Sequence, residues 1–329
     1  MADIGIGALG YVGYAEETTE GVGVDPTLFL AASSVNWDDS NDYDSPLQIT
    51  GSRDYTLALA APYMVTGSLE MLGQPHDTAL LLKSAFAASV GTAAYATGAY
   101  QHTFTPGGTS PTFTFETSYT GSGGDETLIM RHTGVRVNTL EIRAAFGEPI
   151  TWSFGLDGVD RYKRPSGVAT PSYDAESIYP FIFNYADVSI AGSASTIVKE
   201  YTFGVNNNVE HIGTLRKERA YKRVAMGARE LSLSMSLDFT DATEYDRFLN
   251  DSEFAVSLDA GTGQVLSGAA ANEEYGFTIA LPRVRYRTVG IPLTAGDFIT
   301  QDIECIILKP VGSDIATITL RNDEDGTLL

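Results

Sequence analysis

In the run Val65 to Leu72 apolar and polar residues alternate, setting Thr66, Ser68 and Glu70 on one face and Gly67, Leu69 and Met71 on the other. The run Leu231 to Leu237 does the same, with Ser232, Ser234 and Ser236 on its polar face. A period of two is that of a β-strand with one face buried and one in water. A helical period appears after each of these strands. Pro75 to Ala87 carries Leu80, Leu81 and Phe86 at helix-compatible spacing behind Asp77, and Thr240 to Asn250 carries Tyr245, Phe248 and Leu249 behind Asp241. Asp77 in one case, and Thr240 followed by Thr243-Glu244 in the other, supply caps and first-turn acids.

The chain also repeats itself. Val135 to Phe154 reads VRVNTLEIRAAFGEPITWSF, and Val284 to Ile303, 149 positions on, reads VRYRTVGIPLTAGDFITQDI. Without a gap, Arg136 falls on Arg285, Thr139 on Thr288, Ile142 on Ile291, Gly147 on Gly296 and Thr151 on Thr300. Each copy reads as strand, turn glycine with an acid after it, and strand, which is a hairpin. A second register, at offset 164, pairs Ser68 with Ser232, Leu69 with Leu233, Met71 with Met235 and Asp77 with Asp241. Together they imply an internal duplication.

In chain order, Gly5 to Gly10 is formally GxGxxG, but no strand precedes it and no helical period follows, so it reads as a glycine-rich arm. The segment YVGYAEETTEGVGVDPT continues it as a polar extended arm able to lie along a neighbour. Leu28 to Asp38 reads as a strand ending in the acidic cluster Asp38, Asp39, Asp42 and Asp44, and Ser40 to Pro62 is a long connection. The second half matches it with a strand from Tyr201 to Glu210 and a long basic connection through Arg216, Lys217, Arg219, Lys222 and Arg223. Glycines at Gly107-Gly108, Gly121 to Gly124 and Gly261 to Gly268 mark turns or tips, and Lys163 to Ser177 is the natural linker. The expected units are 1–165, with the N-terminal arm, and 177–329, joined by 166–176.

At 329 residues the length fits two domains, and frequent Thr, Ser, Val, Tyr and Gly point to mostly β-structure. There is no apolar run long enough for a membrane span, and no basic segment followed by an apolar core at the N-terminus. Cys305, the one cysteine, sits in the strand-like DIECIIL as a small buried hydrophobe. The net charge of −21 argues against wrapping tightly around nucleic acid, whose phosphates need Lys and Arg on the binding face, but it is compatible with nucleic acid sliding past. Scarce lysine with abundant acid also suits a high-salt environment.

Catalytic signatures do not assemble. His76, His102, His132 and His211 lack metal-ligand spacing, there is no G-x-S-x-G, and no cofactor motif survives its context. Asp157, Asp160, Glu141 and Glu148 read as solvated faces and turns rather than a glycosidase pair.

The order strand, long loop, strand, helix, further strands, closing hairpin resembles the tail tube proteins of long-tailed, siphovirus-like phages and related viruses, specifically their duplicated members. The resemblance rests on the opening GALGYVGYAEETTEGV, the long loop, and VTGSLEMLGQPHDTALLLKSAF, and it covers nearly all of each half. In the second half EYDRFLND replaces the leucine-rich helix of the first. The implied fold is mainly β, with two tandem tail-tube-like β-sandwich or barrel domains, each with one flanking α-helix and a long inter-strand loop. The implied role is a non-enzymatic virion structural protein, assembled in the host cytoplasm, whose rings stack into a tube that conducts DNA. Six domains per ring then means three chains. Its implied partners are other copies of itself, a tape measure protein, a tail terminator and baseplate proteins. In that frame Thr66, Ser68, Glu70, Ser232, Ser234 and Ser236 line the lumen, and the basic loop and acidic cluster make contacts between rings. The competing reading is a carbohydrate-binding β-sandwich of a viral or cell-surface spike, with Trp37, Trp152 and tyrosines stacking on sugars.

Overall fold

The computed structural model describes residues 7–327 apart from 39, 50–52, 56, 97, 121–125, 165–168, 174–178, 267–273 and 297. The first half runs β1 (Tyr11–Glu16), β2 (Leu28–Phe29), β3 (Ala32–Asp38), β4 (Tyr43–Asp44), β5 (Leu59–Ala60), β6 (Val65–Leu72), α1 (Ala79–Ala85), β7 (Ser89–Ala96), β8 (Ala99–Thr105), β9 (Phe113–Thr120), β10 (Glu126–Ala145), β11 (Thr151–Gly158) and β12 (Asp160–Lys163). The second runs β13 (Ile182–Ile190), β14 (Ser193–Ala194), β15 (Val198–Asn206), β16 (Glu210–Ile212), β17 (Arg223–Ala225), β18 (Glu230–Asp238), α2 (Thr243–Leu249), β19 (Phe254–Val265), β20 (Glu274–Gly290), β21 (Thr300–Ile307) and β22 (Thr317–Asn322).

One antiparallel sheet crosses both halves in the order β3, β6, β11, β10, β15, β18, β21, β20. The long strands β10 and β20 each serve two layers. The start of β10 pairs with β9 and β12 and its end with β11 and β15. The start of β20 likewise pairs with β19 and β22, and its end with β21. Apolar faces of the two layers meet in one core that runs through both halves: Trp152 stacks on Phe181 and lies 5.1 Å from Phe277, and Phe86 below α1 stacks on Phe203 of β15. Trp152, Phe86, Phe181 and Phe203 are all fully buried.

The repeated hairpin is present, with Gly147 at φ +88° and Gly296 at φ +98°, the left-handed turn conformation that glycine adopts without a Cβ penalty. Its β-bulge recurs too, between Val137 and Thr139 on β10 and between Tyr286 and Thr288 on β20, 149 positions apart. The second register shifts by two from its expected value. Leu69 lies opposite Phe154 while Met235 lies opposite Ile303, the position 149 beyond Phe154, so β6 maps onto β18 at offset 166. The bulge of β3 at Ala32/Ser34 recurs on β15 at Val198/Glu200, again at 166. The helices keep 164, so the two residues are absorbed between strand and helix. Because side chains alternate with period two, this correction leaves the polar faces unchanged.

Other expectations change more. The arm after Gly10 is not free to lie along a neighbour: β1 pairs with β9 and β2, Tyr14 is fully buried, and Tyr11 Oη donates to the buried Glu116 carboxylate. Glu116 also receives Arg131 Nε at 2.6 Å and Arg164 Nη1 at 3.0 Å, so a hydrogen-bonded charge cluster pins this strand. Asp77 precedes α1 at φ +59° rather than lying in its first turn, and α1 starts behind Thr78, which makes no side-chain cap bond. At α2 the capping contact comes from Asp241, whose carboxylate accepts the Thr243 N–H at 2.8 Å, rather than from Thr240. The strand foreseen from Leu28 breaks into β2 and β3, and that from Tyr201 into β15 and β16. Gly261 and Gly263 lie inside β19 instead of at a tip, and Gly121 to Gly124 and Gly268 lie outside the described residues. Lys163, where the linker was expected to begin, closes β12 opposite Met130, and of 166–176 the residues 169–173 are described: Ala169 N–H donates to Tyr11 Oη, and Tyr173 packs on Phe29.

Cys305 is buried, as its strand pattern implied, and desolvation pushes its thiol up to about 12. Gly67 packs flat under Trp37, where a Cβ would come within 2.6 Å of the indole, whereas at Gly91 a Cβ meets nothing within 4 Å. Gly67→Ala should therefore destabilise by about 1–3 kcal/mol through overpacking, and Gly91→Ala should stay within about 0.5 kcal/mol of the parent in urea unfolding.

Candidate functional site

The sheet that crosses both halves, called the inner sheet only to distinguish it from the layer of β9, β19 and β22, is open and polar on the side facing away from the core. Along β6, Val65, Leu69 and Met71 are buried while Thr66 is half-buried and Ser68 and Glu70 are exposed. Along β18, Leu233, Met235 and Leu237 are buried while Ser232 and Ser234 are exposed and Ser236 is half-buried. The structure thus brings all six hydroxyl and acid positions read from the alternation onto one surface. Hydrogen bonds engage two of them: Ser34 Oγ donates to Glu70 at 3.1 Å and Ser236 Oγ to Asp302 at 2.8 Å. Sequence reasoning did not assemble the rest of this face, because its residues sit on β10 and β15, which meet only through pairing between the halves, and on β21, which reaches β18 from about 65 residues away. They include the exposed Glu141, Glu200, Asp302 and Glu304, and Arg143, which reaches Glu200 across the β10–β15 junction and Glu148 in the β10–β11 turn, each at 3.4 Å.

The ends of this sheet differ. Asp38 on β3, opposite Thr66, and Asn206 on β15, opposite Glu230, lie at one end, so both long loops leave together. The β10–β11 and β20–β21 turns lie at the other. Asp38, Asp42 and Asp44 are exposed at the loop end, and Asp39 lies outside the described residues. Of the basic set, Arg216, Lys217, Lys222 and Arg223 are exposed and Arg219 is half-buried. Arg219 Nε donates to the Ala61 carbonyl at 2.8 Å and Nη2 to the Asp42 carbonyl at 3.2 Å, with its guanidinium over the rings of Tyr43 and Tyr63. Arg219 is therefore engaged with the acidic loop of its own chain, through main-chain carbonyls rather than carboxylates. Beneath it, burial and a hydrogen bond to Asp160 push the Tyr63 phenol up to about 12, so it stays a donor at neutral pH. Arg216 folds back on the carbonyls of Ala220 and Tyr221.

His211 packs beside Asp157, whose carboxyl is pushed up by burial against the opposing pull of the imidazole. Asp160 is taken by Tyr63 and Glu148 by Arg143, so the carboxylates weighed for catalysis do not converge. No group of metal-ligating side chains occurs among the described residues, and no helix there is long and apolar enough to cross a membrane. Trp37 and Trp152, the stacking platforms of the sugar-binding reading, are buried at 8% and 0% exposure.

The family model described as phage tail tube protein matches residues 7–305 of the chain, and no curated protein matches it significantly.

Removing the Arg219 anchor should free the loop end without unfolding the core. Arg219→Ala is expected to speed limited proteolysis between residues 40 and 62 several-fold while lowering stability by no more than about 1–2 kcal/mol; unchanged cleavage would show that the contact does not order the loop.

Proposed function

The chain belongs to the phage tail tube protein family, a structural component of the virion tail, and on that premise we propose that three copies close a pseudo-hexameric ring that stacks into a siphovirus-like tube and conducts DNA during genome delivery. Each chain then supplies two tandem units, 1–165 and 177–329 joined by 166–176. The observation that carries this reading is the inner sheet. It consists of two equivalent sets of four strands, joined side by side at β10–β15, so one chain already spans two of the six sectors that the family resemblance implies. Closed symmetric assembly also removes the exposed strand edges that a free sheet of this length leaves.

In such a ring the open polar face, with Thr66, Ser68, Glu70, Ser232, Ser234 and Ser236, lines the lumen. Hydroxyls and an excess of carboxylates, with Arg143 engaged by Glu148 and Glu200, leave the phosphate backbone little cationic grip, so DNA passes without binding. Tape measure, terminator and baseplate proteins are the partners this role implies, with assembly in the host cytoplasm.

Ring stacking needs a head-to-tail contact to propagate. Because both long loops leave the same end, the basic loop meets the hairpin end of the next ring, where Glu148 and Glu200 stand exposed, rather than another copy of the acidic loop. Exposed pairs contribute only about 0–1 kcal/mol each, so the contact depends on several acting together.

Electron microscopy of the purified protein is expected to show tubes or rings with three chains, and six units, around the lumen; six chains per ring, or compact particles only, would overturn the stoichiometry or the role. A triple variant, Arg216→Glu, Lys217→Glu and Arg223→Glu, keeps the Arg219 anchor and should leave a folded subunit that forms rings but not tubes. Normal-length tubes from that variant would remove this loop from the stacking contact.

A further inference from the structure

Among the described residues, the inner sheet ends in two strands with one bare edge each. β3 pairs with β6 alone, and beyond Val284 β20 pairs with β21 alone. Their counterparts by offset, β15 for β3 and β10 for β20, pair with each other inside the chain. In the ring proposed above these two bare edges meet between chains, and we propose how: the end of β20 pairs antiparallel with β3 of the next copy in the register of β10–β15, and the segment Ile291 to Thr294 becomes strand only when that copy docks. The proposal rests on the ring reading above and adds its register and its conformational change.

The internal joint specifies the register. Moving β10 forward by 149 and β15 back by 166 turns Glu141 opposite Gly204 into Gly290 opposite Asp38. Ile142 opposite Phe203 becomes Ile291 opposite Trp37, and Ala144 opposite Tyr201 becomes Leu293 opposite Val35. Core-side positions stay apolar on both strands, and the acid and the glycine exchange sides.

Three observations mark this edge as unfinished. β10 continues as strand to Ala145, whereas β20 stops at Gly290, four residues short of the equivalent Thr294. Ala144 is buried at 5% exposure, but Leu293 in its place is 83% exposed. Beneath the joint, Ala85 at the end of α1 is fully buried and its carbonyl accepts Asn207 Nδ2 from the second half, while Leu249, its counterpart on α2, is 63% exposed. Each uncovered apolar group occupies the place where, in the internal joint, the neighbouring unit covers its counterpart.

Pro292 does not block such pairing. Asn207 N–H donates to the Asn138 carbonyl at 2.9 Å and Phe146 N–H to the Lys199 carbonyl at 3.0 Å, so the even-numbered residues of β10 turn their backbone groups toward β15. Arg143, the counterpart of Pro292, points its N–H the other way, toward β11. The missing donor of Pro292 therefore falls on the β21 side, and Ile291 and Leu293 keep theirs for the partner.

Cysteines at directly opposed positions test the register. Oxidation of assembled Asp38→Cys/Gly290→Cys protein should yield covalent dimers and trimers at least about tenfold more readily than the one-residue slip Asp38→Cys/Ile291→Cys, since disulfides need close, converging Cβ atoms. Ile291→Pro removes a donor from the joint and should give a subunit with parental circular dichroism that forms no rings. Hydrogen exchange at Ile291 and Leu293, whose N–H groups face the joint, should slow on assembly of the parent protein. Rings or tubes that form with no link at 38–290, with equal linking in the slipped pair, or from Ile291→Pro, would overturn the joint while leaving the tube reading intact. A parent protein that forms neither rings nor tubes would overturn both.

Discussion

The rest of the structure depends on the antiparallel joint between β10 and β15. Seven consecutive residue pairs, from Thr139 with Asn206 to Ala145 with Glu200, make one continuous sheet out of two sets of strands. Each backbone bond contributes only about 0.5–1.5 kcal/mol net, but a buried group left unpaired costs about 1–3 kcal/mol. The joint is therefore maintained mainly because leaving it open is expensive. The core beneath it is shared accordingly: α1 comes from the first half, Phe203 and Asn207 from the second, and Asn207 Nδ2 spans the carbonyls of Ala85 and Val137.

That arrangement accounts for the contrast between the two helices. Leu80, Leu81 and Leu82 of α1 are buried because the chain itself provides both strands that cover them. On α2 only Glu244 is buried; its carboxylate accepts the Tyr286 hydroxyl at 2.5 Å, and the face holding Tyr245 and Leu249 meets water. A leucine-rich helix at that position would expose a large apolar patch on the isolated subunit, an aggregation hazard that the polar EYDRFLND sequence reduces. Among the described residues the hairpin β7–β8 has no counterpart in the second half, and it extends the second half's outer layer by pairing with β22, tying the two halves together away from the joint as well.

Electrostatics follow the same division between inside and outside. Glu116, fully buried, is matched by Arg131 and Arg164, whereas the acids of the open face stand in water with few partners. Glu253 shows the exposed kind of pairing: hydrogen bonds from Arg283 and Arg285 hold its carboxyl down at about 2. A depressed carboxylate favours the fold above its ordinary pKa and loses that preference as pH falls from about 4.5 toward 2, and because the group is exposed, salt screens the effect.

Strand alternation, the two hairpins and the polar faces of β6 and β18 were legible in the sequence, since a period of two and a turn glycine are local signals with a direct steric cause. So was the burial of Cys305, from the apolar residues around it. The offset between β6 and β18 was misread by two because similar residues recur every second position, and sequence similarity cannot choose between registers that put the same faces inward. Tyr11 to Glu16 looked like a free arm because nothing local signals that Glu116, Arg131 and Arg164, more than a hundred residues away, converge on it. The docking of Arg219 on the loop of its own chain was hidden for a related reason: its acceptors are main-chain carbonyls, which every residue carries and no motif distinguishes. Local pattern thus determined which segments are strands and which faces are wet; the pairing of β10 with β15, and with it the composition of the open face, was decided by tertiary structure, because backbone hydrogen bonds between distant strands are nearly indifferent to side-chain identity.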